Sequence, residues 1–228
     1  MSVIIDGTSG VTTPGVVNTA GQTIATTLMV TGVATLGAGA VLGTPASGNL
    51  SNCTALNATQ LTTGTMPSAR LPAGCVKQVV STSKTDTFAT TSLAFIDITG
   101  LTVTTAPLNS TASKVVINVA LGSIGGTANL TAAFRLLRGG VVIAAGDVAG
   151  SRPQGSFRVF ICPDTNHANG IAFSWVDSPN STAAQTYALQ MSLQGGGTAY
   201  INRTGIDTDG TLPYHVRTAS SITVMETL

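Results

Sequence analysis

Apolar and polar residues alternate in Tyr187-Ala188-Leu189-Gln190-Met191-Ser192-Leu193-Gln194, the stretch that decides the fold class. Successive side chains of a β-strand point to opposite faces, so this order gives the segment one apolar face for a core. Similar short segments recur through the C-terminal two thirds of the chain. The strands predicted there are 76–81, 93–98, 101–105, 114–121, 131–138, 141–145, 156–161, 171–176, 186–193, 199–203 and 221–226, with turns at 125–126, 139–140 and 195–197. This spacing is typical of a β-sandwich or jelly roll, and we expect that fold over residues 76–228.

The composition changes near position 88. Only 8% of the residues are charged and 4% are aromatic, whereas ordinary domains carry about 25% charged residues. No Phe, Trp, Tyr or His precedes Phe88. The charges before that point are Asp6, Arg70, Lys77, Lys84 and Asp86. We interpret this change as a slender shaft followed by a head.

Residues 1–60 form the predicted shaft. Ordering a backbone costs about 1–2 kcal/mol per residue, and a single chain of small side chains buries too little apolar area to offset that cost. Disorder is disfavoured because short β-type runs such as Val3-Ile4-Ile5 and Leu28-Met29-Val30 recur. Several identical chains wound about one axis would bury these runs together. The pattern therefore predicts a slender, intertwined β shaft built by a homo-oligomer.

Residues 61–75 are rich in Pro and Gly and form the predicted neck. Leu61, Met66 and Leu71 recur every five residues, which favours contacts across a symmetry axis. A flexible linker is the alternative interpretation.

Several classes of protein are disfavoured by the charge pattern. The net charge is +1 and the pI is about 7.7, so no basic patch indicates nucleic acid. No apolar segment of about 20 residues indicates membrane insertion, and the N-terminus lacks the pattern of a secretion signal. We therefore expect synthesis in the cytoplasm. Cys53, Cys75 and Cys162 lack metal or redox spacing and are expected to be buried free thiols.

Phrases along the chain resemble bacteriophage tail-fibre proteins, particularly those of phages that infect cyanobacteria. The neck phrases are Leu42-Gly43-Thr44-Pro45-Ala46-Ser47-Gly48-Asn49-Leu50 and Thr62-Thr63-Gly64-Thr65-Met66-Pro67-Ser68-Ala69-Arg70-Leu71-Pro72. Head phrases are Val76-Lys77-Gln78-Val79-Val80, Tyr200-Ile201-Asn202-Arg203-Thr204 and Ser220-Ser221-Ile222-Thr223-Val224-Met225-Glu226. The resemblance implies a homotrimer in the virion. Its N-terminal shaft would attach to the phage tail, the baseplate or another virion protein, and its head would contact a host-surface glycan or outer-membrane receptor.

One cluster in the head has the residue types that bind glycans, namely aromatic rings beside hydrogen-bonding groups. Its members are Tyr200, Asn202, Arg203, Asp207, Asp209, Tyr214, His215 and Arg217. The alternative is structural: Tyr200 in the core, and Arg203 paired with Asp207 across a turn. Trp175 is expected in the core. Arg135 and Arg138 are interpreted either as partners between subunits or as partly buried strand residues.

The sequence contains little that favours catalysis, and we expect neither an enzyme nor a cofactor. Only His167 and His215 are available as imidazoles, and no Gly-x-Ser-x-Gly motif supports a Ser–His–Asp triad. Carboxylate pairs for glycan hydrolysis would come from Asp164, Asp177, Asp207 and Asp209. The Asp207-Thr208-Asp209-Gly210 run begins like a calcium loop but has Thr218 where an acidic residue is needed. A capsid-attached fibre or decoration protein and a glycan hydrolase remain the alternative functions.

Overall fold

The computed structural model describes residues 71–127, 129–161 and 164–228. The predicted shaft, Leu61, Met66, Cys53 and Cys162 lie outside these residues. Eleven strands and one short 3-10 turn, Pro213–His215, make up the regular structure of the described part. The strands are β1 Val76–Lys84, β2 Phe88–Thr90, β3 Ile96–Thr104, β4 Lys114–Gly126, β5 Leu130–Arg138, β6 Val141–Ile143, β7 Phe157–Ile161, β8 Ala168–Asp177, β9 Thr186–Gln194, β10 Ala199–Ile201 and β11 Ser220–Thr227. The all-β prediction is confirmed, and no helix in the described ranges is long and apolar enough to cross a membrane.

The strands form two curled antiparallel sheets. In the first sheet β4 pairs with β8 on one side and with β11 and then β10 on the other, while β1 and β2 pair with β11 and β10. In the second sheet the order is β3-β9-β5, and β6 and β7 lie one after the other along β5. The main strands are therefore ordered β1-β11-β4-β8 and β3-β9-β5-β7, which is the order of an eight-stranded jelly roll.

A single core lies between the two sheets because alternate residues of each strand point inward. The inward residues of β4 and β9 are buried, as the alternation in both segments predicts. Phe134 on β5 stacks on Phe157 of β7 with ring centroids 4.7 Å apart, and Phe157 stacks on Phe173 of β8 at 5.0 Å. The stack connects the second sheet to the first, so these three phenylalanine side chains contribute to the core.

Two buried carboxylates make polar contacts at the margins of this core. Asp177 of β8 accepts hydrogen bonds from Arg138 Nη1 at 2.8 Å and from the Tyr187 hydroxyl at 2.8 Å, which joins the first sheet to the second. Burial and this carboxylate raise the pKa of Tyr187 well above its usual value, so the phenol remains a donor. Glu226 of β11 is fully buried and accepts hydrogen bonds from Gln78, Asn109 and Ser113.

Several sequence predictions differ from the structure. The two strands predicted at 93–98 and 101–105 form one strand, β3, interrupted by a change of register at Gly100, whose φ is +84°. The predicted turn at Gly125-Gly126 was wrong because both residues continue β4 and pair with β10. Strand β2 was not predicted. The turn at Gly139-Gly140 is confirmed, and it closes the β5–β6 hairpin.

The assignment of Trp175 to the core was also wrong. Its side chain is 42% exposed, because β8 is an edge strand that pairs only with β4. Arg138 is a partly buried strand residue that pairs with Asp177 within the same chain. Arg135 lies over the Phe95 ring at 3.7 Å, also within the chain.

Candidate binding surface on the β10–β11 loop

Most of the predicted binding cluster lies in the loop between β10 and β11, residues 202–219, which packs against β4. The backbones approach so closely that glycine is required: a Cβ on Gly125 would lie 2.6 Å from the Arg203 carbonyl oxygen. A Cβ on Gly205 would collide with the Gly126 carbonyl oxygen. Ile206 N donates a hydrogen bond of 3.0 Å to the Thr165 carbonyl oxygen in the β7–β8 loop. The two loops are therefore held together at one end of the jelly roll.

Asn202 anchors this loop from inside the protein. It is fully buried, with a φ of +69°. Its amide nitrogen donates to the carbonyl oxygens of Lys84 and Asp86 at 2.9 Å each, and its amide oxygen accepts from the Ser220 hydroxyl at 2.6 Å. Because Asn202 has no exposed surface, it is not available to contact a ligand. We therefore assign it a structural role and remove it from the candidate binding residues.

Asp207 organises the charged part of the loop. Its carboxylate pairs with Arg203 at 2.8 Å and with Arg217. The Arg203 guanidinium also lies 3.6 Å from the centre of the Tyr200 ring, which is half-buried beneath it. The Arg203–Asp207 pair expected under the structural alternative is confirmed. The structure thus brings Tyr200, Arg203, Asp207 and Arg217 together as one cluster.

Asp209, Tyr214 and His215 surround a second, smaller feature of the loop. Asp209 is exposed and, with His215 and Arg217, lines a depression of about 310 Å³. Tyr214 is 44% exposed, and its ring meets the His215 ring edge to face at 4.5 Å. His215 Nδ1 is buried without a hydrogen-bond partner among the described residues.

A larger cleft of about 590 Å³ opens beside Tyr214. Its walls come from β4, the β7–β8 loop and the β10–β11 loop. They comprise Gly122, Ser123, Asp164, Asn166, His167, Ala168, Thr204, Pro213, Tyr214, Val216 and Thr218. Of the predicted set, only Tyr214 reaches this cleft.

The β7–β8 loop supplies the polar residues that the sequence prediction of the site missed, Asp164, Asn166 and His167. Asn166 N donates to an Asp164 carboxylate oxygen at 2.9 Å, and His167 Nδ1 lies 3.5 Å from the other carboxylate oxygen. The Asn166 amide, and then the His167 imidazole, hold the pKa of Asp164 below its usual range. A polar Asp-Thr-Asn-His run between two strands was the signal available in the sequence.

The contacts limit the chemistry available at this end. Both carboxylate oxygens of Asp207 are engaged by arginines, and none of the described hydrogen bonds joins His215 or His167 to a serine or threonine hydroxyl. Within the described ranges, no group of three or more His, Cys, Asp or Glu residues is arranged to hold a metal ion. What the cleft offers is hydroxyl, amide, imidazole and carboxylate groups beside one exposed aromatic ring. Such a surface suits a polyhydroxylated ligand held by hydrogen bonds.

Two further predicted positions lie near the start of the described region. Leu71 of the predicted neck is half-buried, and Cys75 is a half-buried free thiol. Cys75 is thus less enclosed than the buried thiol that we expected from the sequence.

Comparison with known proteins finds similarity among solved structures. No family model matches the chain, and no curated protein matches it. Among solved structures it is similar to a mutant VP2 protein of infectious bursal disease virus in derived T=1 particles, with TM-score 0.33 and 13% identity over 68% of this chain and 36% of that chain. Derived T=1 particles of infectious bursal virus give TM-score 0.32 and 12% identity, covering 73% and 40%. The Gx strain of that virus gives TM-score 0.28 and 13% identity, covering 66% and 37%.

The chain thus spans less than half the length of these structures. At these TM-scores and identities, the likeness does not assign a function to this chain.

Proposed function

We propose that this protein is a non-enzymatic virion structural protein, a homotrimeric bacteriophage tail fibre. Residues 1–60 attach it to the tail, the baseplate or another virion protein, and the β head binds a glycan on the host surface. Support for the first part comes from the N-terminal third, which is almost free of charged residues and lacks aromatic ones, and from the sequence resemblance described above. Support for the second part comes from the loop end of the head.

The observation that carries the binding proposal is the cleft of about 590 Å³ beside Tyr214. The exposed phenol ring provides an apolar surface for the C–H face of a sugar. Ser123, Asn166 and Thr218 line the same cleft and supply donors and acceptors for sugar hydroxyls. The Arg203–Asp207–Arg217 cluster stiffens the loop that carries Tyr214, so less conformational entropy is lost on binding.

Each site of this kind is shallow and would bind weakly. Three copies at one tip convert later binding events into intramolecular ones and raise the overall affinity by roughly 10²–10⁴ on a surface with many receptors. Adsorption then requires no covalent step.

The binding proposal is tested by titrating the full-length protein against envelope glycans from the host. Replacing Tyr214 with Ala should weaken binding at least tenfold. Phe160→Ala is the matched control, because Phe160 is an exposed aromatic residue on β7 that lies outside the cleft. If the two variants bind alike, the cleft is not the receptor site.

The non-enzymatic proposal is tested separately. Purified protein is incubated with host envelope material, and the supernatant is analysed for released oligosaccharides. We expect none. Release that disappears with Asp164→Asn would instead support the glycan hydrolase.

The place of the protein in the virion is tested by imaging. Particles carrying labelled protein should show the label at the tail. Label on the capsid would support a capsid-attached fibre or decoration protein instead.

A further inference from the structure

Three rows of outward side chains run across all four strands of the sheet β1-β11-β4-β8. The first row is Val79, Met225, Val116 and Val176; the second is Ser81, Thr223, Asn118 and Ser174; the third is Ser83, Ser221, Ala120 and Ala172. No residue in the three rows is charged. We call this surface the uncharged face. Beyond the first row, the exposed and outward Lys114 of β4 donates a hydrogen bond to the Ser178 hydroxyl.

The first row is apolar from edge to edge. Val79 is 60% exposed and Val176 is 56% exposed. A shallow depression of about 340 Å³ lies at the β8 end, lined by Val116, Ser174, Trp175 and Val176. Trp175 pairs with the inward Ile117 and borders the strip from the sheet edge, where it is exposed. Contiguous apolar strips of this kind are typical of protein contacts.

The second row is polar, but its groups bond to one another. The hydroxyls of Ser81 and Thr223 lie 2.8 Å apart, and the Ser174 hydroxyl donates to Asn118 Oδ1 at 2.6 Å. Covering this row with protein would therefore leave these side-chain hydrogen bonds intact. For these four side chains, the desolvation penalty of burial is therefore reduced.

The sequence also indicates which partner would cover the face. Seventy residues precede Leu71, and none between Gly7 and Ala69 is charged. They join the head at β1, which supplies the first side chain of every row. If these residues associate with their counterparts in other copies, as the proposed function requires, the covalent connection brings the heads of those copies close together.

We propose that the uncharged face is the surface through which the heads of separate copies of this chain pack on one another; this inference rests on the homotrimer of the proposed function. A surface without charge meets another copy of this chain without placing an unpaired charge in the contact. Its three rows provide about half of the 20–30 residues that each partner contributes to a standard interface. The face thus forms the centre of the contact, with Trp175 at its margin.

The test measures whether the face is covered in the assembled full-length protein. Cys53, Cys75 and Cys162 are replaced with Ser, and a single cysteine is introduced as Ala120→Cys or Ala133→Cys. Ala120 and Ala133 both point outward from the central strand of a sheet, but Ala120 is exposed and Ala133 is half-buried in the single chain. A chain with both faces free would thus react with a maleimide faster at position 120. We expect the reverse, with labelling at least tenfold slower at position 120.

Sedimentation of the same samples separates the possible outcomes. An oligomer in which position 120 reacts faster than position 133 overturns this inference and leaves the homotrimer standing. A monomer overturns both. Protection of position 120 in a monomer would show that the chain's own N-terminal segment covers the face.

If Ala120→Cys folds poorly, photo-crosslinking from a second position on the same face provides an independent measurement. Ser174→Cys places the thiol on β8 within the same face. A benzophenone maleimide attached there should, on illumination, give denatured species with the mass of two or three chains. Adducts confined to one chain would contradict packing between copies.

Discussion

The outer surfaces of the two sheets differ although the strands beneath them follow the same alternation. The outward residues of β3, β9, β5 and β7 include Asp97, Arg135 and Arg158. Gln190 donates a hydrogen bond of 2.9 Å to Asp97, and the Arg135 guanidinium lies over Phe95. We call this surface the charged face. The uncharged face has the same geometry and no charge in its three rows.

The difference shows that alternation and composition carry separate information. Alternation determines which side chains enter the core, and it is equally clear in β4 and β5. The composition of the outward residues distinguishes a surface adapted to water from one adapted to protein.

The largest effect is expected where the two sheets are joined. Asp177→Ala removes the acceptor of Arg138 and of the fully buried Tyr187 hydroxyl. An unpaired buried phenol and a half-buried guanidinium should lower the free energy of unfolding by about 3 kcal/mol. Urea denaturation at a fixed protomer concentration measures this loss.

The matched control for Asp177 is Asp97→Ala on the charged face. Asp97 is exposed, so its loss should change the free energy of unfolding by less than about 0.5 kcal/mol. Equal losses in the two variants would show that Asp177 does not join the sheets.

The next largest effect concerns association. Ala120→Glu places a charge in the third row of the uncharged face, whereas Ala133→Glu places the same charge on the charged face, opposite Arg158. Burying an unpaired carboxylate between copies should raise the dissociation constant at least 100-fold, about 2.7 kcal/mol. Ala133→Glu should leave it unchanged. Sedimentation over a range of concentrations gives both values, and equal weakening would remove the distinction between the two faces.

Much of the fold could be predicted because strand alternation is a local signal. The segments around Tyr187 and Phe134 were identified closely. The errors occur where pairing between distant residues decides the outcome. Gly125 resembles a turn residue in sequence, yet it pairs with Tyr200 and with Ala168. Strand β2 has three residues and depends on its pairing with β10.

Side-chain contacts of the candidate site could be predicted only where the two residues are close in the sequence. The Arg203–Asp207 pair spans four residues and was anticipated, whereas Arg217 joins Asp207 from ten residues away. Asp164 and His167 reach the cleft only because the jelly roll places the β7–β8 loop beside the β10–β11 loop. Asn202 was misassigned because an asparagine that satisfies buried carbonyl groups looks, in sequence, like a surface residue.

A smaller effect is expected from the inner side of the uncharged face. Glu226, the only glutamate in the chain, follows the outward Met225 on β11. Burial alone would raise its pKa, but hydrogen bonds from Ser113, Gln78 and Asn109 lower it below the ordinary value of 4.5. The stabilisation is therefore complete above about pH 4.5 and is lost as the pH falls through the folded-state pKa.

Glu226→Gln should destabilise the protein by about 1–2 kcal/mol at neutral pH and reduce the dependence of its stability on pH in the acid range. Denaturant titrations at several pH values measure both quantities. Ser113→Ala removes one donor, at 2.6 Å from the carboxylate, and should give an intermediate result. An unchanged pH dependence in Glu226→Gln would contradict the linkage.

The smallest effect is expected on the charged face. Arg135→Met keeps an apolar stem over Phe95 but removes the guanidinium and its hydrogen bond of 2.7 Å to the Gln154 carbonyl oxygen. The free energy of unfolding should fall by about 0.5–1 kcal/mol, and the sedimenting mass should not change. Arg158→Met, an exposed arginine on β7 of the same face, should alter stability by less than about 0.5 kcal/mol. Dissociation of the oligomer by either variant would place the charged face in the contact as well.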